Sequence, residues 1–585
     1  MNRRHSALAI AALLGITAFG ASYGARAAGS AVSASPDTTE PTDTTEPSET
    51  TDAGDTTESS ETTEAADTTE ATDTTEATDT TIGGPVATFP EWEPEPIEWT
   101  EGVAPGTEEG YLEVPVDYAN PDGEMFRIYV TRHPAAVPDQ RIGSLLVNPG
   151  GPGFGGSDFG TFADQIYGQD ILDSFDVIGF DPRGTGISEP AIDCVDDYDH
   201  FYAGTDITPD DDAEAEQIID LAEEYAAACA EKNADIIQFI GTNNTARDMD
   251  SIRRALGEDT ISYFGFSYGS ELGATWATLF PDTVRAAVLD GAADPNADAL
   301  EGSLQQVQGF EGTLETYLAQ CSDDPGCVFN NDGDAEGAFD QLMQKLDDKP
   351  IPSVPGRPDI TRGVALQGVA EAMYSDTSWP DLSQALADAQ QGDGAGLLAL
   401  YDSYYQYTGD GWDNSLEAFQ TISCMDTEER LTVEEDDATA PQFNEVAPRF
   451  APGTTGSYFC TFFPESTDPR TDITGAGAGP IVVCGATGDA ATPLQSTRNM
   501  AAALEDGRLI VIEADQHTCY GASECADAII DSYLVDLEIP GKETDCPAGA
   551  EAPDSTGGDG TTDTTDGAGT TDTTESNGTT ETTEG

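Results

Sequence analysis

Apolar and polar positions alternate along "YLEVPVDY" (111–118) and "MFRIYVTR" (125–132), which flank the turn Asn120-Pro121-Asp122-Gly123 and predict an antiparallel hairpin. The pattern then changes. "SLLVN" (144–148), "FDVIGF" (175–180), "TISYFG" (260–265), "RAAVLD" (285–290), "PIVVCG" (480–485) and "RLIVIEA" (508–514) are short, almost unbroken apolar runs. Such runs suit strands buried on both faces. Helix-like stretches rich in Ala, Glu and Leu separate several of them, so the chain reads as α/β, with a mostly parallel sheet between helical layers.

One interval breaks the alternation. From roughly 295 to 424 there are no such runs, and segments such as "LEGSLQQVQGFEGTLETYLAQC" and "WPDLSQALADAQQGDGAGLLALYDSYY" carry helical spacing. The expectation is a helical cap (295–424) inserted after the sixth predicted strand, between two parts of a core at 89–294 and 425–546. It would cover the carboxyl ends of the strands, where open α/β sheets bind ligands.

The two ends are different material. Arg3-Arg4, the apolar run Ala7 to Gly20 and Ala25-Arg26-Ala27 predict an export signal over 1–27, with twin-arginine export also permitted. Residues 28–88 and 547–585 are acidic and Thr-rich; from Asp37 to Asp79 an acid stands at every third position, fifteen in succession. Both segments are expected to be disordered, as solvated spacers that could associate with a cell wall. Between 86 and 546 there remain 87 acidic against 19 basic side chains, a charge near −68. That balance excludes nucleic acid as a partner and predicts stabilisation by salt. Ten cysteines in an exported chain favour disulfides; no Cys-x-x-Cys occurs and His is scarce, so no metal or organic cofactor is indicated.

The candidate chemistry sits at strand ends. Gly265-Phe266-Ser267-Tyr268-Gly269 follows a predicted strand and precedes the helix-like "SELGATWATLF", the context of a nucleophile elbow. A serine hydroxyl needs a base. Of the four histidines, His5 falls in the signal, His133 follows the hairpin and His200 lies in an acidic loop, whereas His517 directly follows the last predicted strand. Asp489 in "VVCGATGDAATP" follows the strand before it, giving the order Ser267, Asp489, His517 of α/β-hydrolases. Asp515 is the rival acid, but two residues from His517 it is badly placed to reach the far ring nitrogen. Oxyanion donors are expected from the N–H groups of Tyr268 and of Gly151, in Asn148-Pro149-Gly150-Gly151-Pro152-Gly153.

Over about 90 to 546 the chain resembles the tripeptidyl aminopeptidase group of α/β-hydrolases, relatives of proline iminopeptidase exported by actinobacteria. The resemblance rests on "VPVDY", "NPGGPGFGGS", "FDVIGFDPRGTGISEPAIDC", "GFSYGSELGATWATLFPDTVRAAVLDG", "SCMD", "GDAATP" and "YLVDLEIPGKETDC". It implies a serine exopeptidase acting on peptides with free N-termini, with cap carboxylates holding the substrate ammonium; Glu301, Glu311 and Glu315 are candidates. It also implies disulfides Cys194–Cys229, Cys321–Cys327, Cys424–Cys460 and Cys525–Cys546. Cys484 and Cys519 are left over, and a bridge between them would tie the acid loop to the base loop. Two features depart from the group: the cysteine pair before the first strand is missing, and Gln516 stands where Gly commonly precedes the histidine. An esterase with the same triad, or a surface-binding protein without turnover, are the alternatives.

Overall fold

The computed structural model describes residues 90, 92–209, 211–409 and 411–549. The export signal, the linker and the tail beyond 549 lie outside the described residues. The strands are β1 (Thr100–Glu101), β2 (Glu108–Pro115), β3 (Met125–His133), β4 (Gly143–Asn148), β5 (Phe175–Phe180), β6 (Ile261–Phe266), β7 (Val284–Asp290), β8 (Ile481–Ala486), β9 (Gly507–Ile512) and β10 (Glu543–Cys546). They form one sheet in the order β1-β2-β3-β5-β4-β6-β7-β8-β9-β10. The pairings from β1 to β5 across β3 are antiparallel and all the others are parallel.

Every residue of β4, β5, β6 and β8 is buried, as the unbroken apolar runs demand. Successive side chains go to opposite layers. Leu146, Ile178, Tyr263, Leu289 and Val483 join one apolar cluster, while Leu145, Val177, Phe264, Val288 and Val482 join the other. The parallel strands end together on one edge, so the loops after β4, β6, β8 and β9 converge there.

The cap builds its own core. Helix Ala299–Asp323 starts at Asp298, whose carboxylate accepts the Glu301 N–H at 2.8 Å. Its buried residues Val307, Phe310, Glu311, Leu314, Tyr317, Leu318 and Cys321 repeat every three or four positions and face the helices Ala335–Asp348, Arg362–Ala372, Trp379–Gln390 and Ala395–Tyr404. The division at 424 is not how the apolar side chains divide. Ala418, Ile422 and Met425 of helix Ser415–Asp426 pack into the sheet's core, whereas Phe443, Ala447, Phe450 and Ala451 pack into the cap. The ten cysteines pair as Cys194–Cys229, Cys321–Cys327, Cys424–Cys460, Cys484–Cys519 and Cys525–Cys546. Among the described residues no helix is long and apolar enough to cross a membrane.

Candidate active site

Ser267 stands between β6 and the helix Tyr268–Leu279 with φ 55° and ψ −126°. A non-glycine residue in this region is strained by about 1–3 kcal/mol, so its surroundings must hold it. They do so through backbone contacts. The Ser267 N–H donates to the Asp290 carbonyl at 2.8 Å, and the Ser267 carbonyl accepts from the Ser270 N–H at 2.8 Å. The flanking glycines are obligatory by sterics: a Cβ on Gly265 would lie 2.2 Å from the Gly269 carbonyl oxygen, and one on Gly269 would lie 2.7 Å from that of Asn148.

The acid and base loops meet beside this turn. His517 Nδ1 is 2.9 Å from both carboxylate oxygens of Asp489. Asp489 is in turn oriented by the N–H groups of Ala491 and Thr492, at 3.0 and 2.9 Å, and by the Thr492 hydroxyl at 2.9 Å. The His517 N–H donates to the Tyr374 carbonyl of the cap at 2.8 Å, and the Tyr374 ring stands edge-on to the imidazole. Burial works against the charged ring. The Asp489 carboxylate outweighs it with help from Asp290, and the imidazole is held above the ordinary histidine value. Nε2 is buried without a hydrogen-bond partner among the described residues, leaving it as the ring atom free to take a proton. Asp515 is elsewhere: its side chain lies against Gly488 and at 3.5 Å from Gln320 Nε2.

The loop after β4 presses on the elbow. A Cβ on Gly150 would lie 2.8 Å from Ser267 Cβ and 3.1 Å from the Tyr268 nitrogen. Gly150 donates its own N–H to Asn148 Oδ1 at 3.0 Å; the next N–H in the loop is that of Gly151, and Pro152 after it has none. Tyr268 is the first helical residue, so its N–H has no helical carbonyl to bond. Its side chain is anchored: the hydroxyl shares a hydrogen bond with Thr242 Oγ1, which donates to Asp426 Oδ2 at 2.5 Å.

The expected cap carboxylates are turned to other tasks. Glu311 accepts Arg449 Nη1 and the Arg449 and Phe450 N–H groups at 3.1, 3.0 and 3.3 Å, so both its oxygens are occupied. Glu315 is exposed and 3.8 Å from the same guanidinium, and Glu301 is exposed in the first helical turn. The sequence carried a hint about Glu311: it lies on the apolar stripe of its helix, where an acid needs a partner. A different carboxylate, missed in the sequence, lies beside Tyr374, the residue that packs on the base. Glu371, in helix Arg362–Ala372, is only 7% exposed and accepts a hydrogen bond from Ser403 Oγ at 2.7 Å. Among the described residues no lysine or arginine pairs with it, and burial raises its carboxyl to about 7 against the pull of Ser403. It acts electrostatically on Tyr374 and Tyr404, and Tyr374 is the residue packed on His517.

Among the described residues one group of three potential metal-ligating side chains comes together near the site. Asp290 lies within 4.8 Å of Cys484 and Cys519, but these sulfurs are joined to each other and offer no thiolate.

A serine on a strand–turn–helix elbow, with a histidine and an aspartate on neighbouring strand-end loops, makes this a serine hydrolase of α/β-hydrolase fold. The chain belongs to the α/β-hydrolase family, in its TAP-like group: the profile described as alpha/beta hydrolase fold matches residues 143–333, and that of TAP-like protein matches 448–546. It is similar to Serine protease Hip1 of Mycobacterium tuberculosis, 34% identical over 482 residues, covering 77% of this chain and 91% of the relative. Carboxylesterase B of the same organism is 36% identical over 458 residues, covering 74% and 85%. Tripeptidyl aminopeptidase of Streptomyces lividans is 28% identical over 471 residues, covering 78% and 86%.

Proposed function

We propose that the protein is an exported serine aminopeptidase that releases di- or tripeptides from free N-termini through an acyl-enzyme. In this reading Nε2 of His517 takes the Ser267 proton as the hydroxyl attacks the scissile carbonyl, and later returns a proton to the leaving amine. Asp489 keeps the imidazole in the required tautomer and stabilises its charged form. The N–H groups of Tyr268 and Gly151 receive the negative oxygen of the tetrahedral intermediate. Export is supported by the five disulfides, which suit an oxidising compartment.

The observation that favours an aminopeptidase is Glu371. A carboxyl buried in the cap without a cation, one tyrosine away from the catalytic base, is kept neutral by burial below about pH 7, and an arriving cation would draw it into its charged form. A substrate ammonium group would do so. The relatives named as a serine protease and a tripeptidyl aminopeptidase agree with this chemistry. The relative named Carboxylesterase B favours the second reading, an esterase using the same triad.

The test compares an unblocked tripeptide anilide with its N-acetylated twin, with Ser267→Ala as the control. Cleavage of the unblocked form alone, abolished in Ser267→Ala, is the expected result. Glu371→Gln is expected to raise KM for the unblocked anilide roughly thirtyfold or more, as removal of one partner of a buried charge pair does. Equal cleavage of both anilides would remove the amine-reading pocket, and turnover of an aryl ester alone would establish the esterase.

A further inference from the structure

Asp290, the last residue of β7, touches both halves of the site without belonging to the triad. Its backbone carbonyl accepts the Ser267 N–H at 2.8 Å. Its side chain reaches the other way: Oδ1 accepts the Cys519 N–H at 2.7 Å and Oδ2 the Tyr520 N–H at 2.9 Å, two and three residues beyond His517. The next residue, Gly291, has φ +64° and lies against the imidazole; a Cβ there would be 3.0 Å from His517 Cε1. The Gly291 N–H donates to the Cys484 carbonyl at 2.9 Å, and Cys484 is bridged to Cys519. One strand end therefore fixes the nucleophile's backbone and the base's loop by independent bonds.

We infer that Asp290 is a second, positioning carboxylate of the site, which registers the His517 loop against the Ser267 turn and whose negative charge adds to the basicity of His517. The groups facing it are few. From the loop after β9 come His517 and the Cys519 and Tyr520 N–H groups; from the loop after β8 comes Asp489; Tyr167 faces it from the layer below, and the Cys484–Cys519 sulfurs are uncharged. No lysine or arginine pairs with it among the described residues, so its charge is felt by the imidazole rather than cancelled locally. Burial raises its carboxyl to about 7, against the two N–H bonds that favour the charged form. Asp290 and His517 share one buried site and act on each other electrostatically, so their protonation is coupled.

This rests on the triad but not on whether the substrate is a peptide or an ester, so the test uses a fluorophosphonate that reports Ser267 directly. The rate of covalent labelling is measured against pH for the unsubstituted protein and for Asp290→Asn. His517 must be neutral to accept the Ser267 proton, so labelling falls on the acid side as the ring charges. Removing a nearby negative charge makes the ring easier to keep neutral. The acid limb should then move to lower pH by about one unit, alongside a lower plateau. A purely structural Asp290 would lower the plateau and the melting temperature but leave the limb in place, and that result overturns the inference. Should Asp290→Asn not fold, Asp290→Ser removes the same charge and is read in the same way. Absence of labelling at Ser267 in the unsubstituted protein overturns the triad itself, an outcome distinct from labelling with an unmoved limb.

Discussion

Asp489→Asn is expected to lower kcat/KM by about four orders of magnitude, against less than about threefold for Asp515→Asn. Both acids lie in the loops around His517, and composition cannot separate them. Geometry does. Both Asp489 oxygens reach Nδ1, so the ring is held with its proton on Nδ1 and its lone pair on Nε2. An asparagine would offer an N–H to the same nitrogen and favour the opposite tautomer, leaving Nε2 unable to accept the serine proton. Asp515 instead faces Gly488 and the Gln320 amide, and its backbone carbonyl accepts the Asp376 N–H of the cap at 3.1 Å. Steady-state kinetics on one substrate for the two variants decides the matter; a larger loss in Asp515→Asn would reverse the assignment of the acid.

The strands that carry Ser267, Asp489 and His517 were legible because burial on both faces leaves a mark that no surface element leaves: an apolar run without alternation. β1 and β10 leave no such mark. The first is two exposed residues and the second is largely polar, so each is a strand only because a neighbour's edge is available. The cap's existence was legible, but its assignment of helices was not. Helix Ser415–Asp426 and helix Ala440–Val446 both show ordinary amphipathic spacing, and the sequence does not say which of two cores each one enters. The site divides in the same way. Ser267 and His517 sit at fixed offsets from strand ends, which a linear reading can measure. Asp290 ends a strand just as visibly, but its role depends on N–H groups 229 and 230 residues further on. Glu371 is the lone acid in the apolar stretch "GVAEAMY", whereas Glu301, Glu311 and Glu315 lie on the more acidic helix Ala299–Asp323.

At low ionic strength, raising the pH from about 5.5 to about 8 is expected to lower the melting temperature by roughly 5–10 °C. The sign follows from carboxyls whose burial favours the neutral form. Glu371, Glu417, Asp426 and Asp531 are each raised to about 7 and Asp527 to about 6, all with burial as the leading cause. In the unfolded chain such groups titrate near 4. The folded protein therefore binds more protons than the unfolded chain between about pH 4 and 7, and this stabilisation, complete at the low end, is lost as the pH rises through 7. Repulsion among the 111 acids acts in the same direction, but salt distinguishes the two. Molar NaCl screens exposed charges and should raise the melting temperature throughout, while leaving a pH slope that belongs to the buried groups. A slope that vanishes in salt would assign the whole effect to the surface. His517, held above the ordinary histidine value, must also lose its proton to act as a base, so activity should increase with pH while stability declines. Salt relieves that opposition only on the side of stability, so high salt should extend the temperature range of activity at alkaline pH without shifting its acid limb.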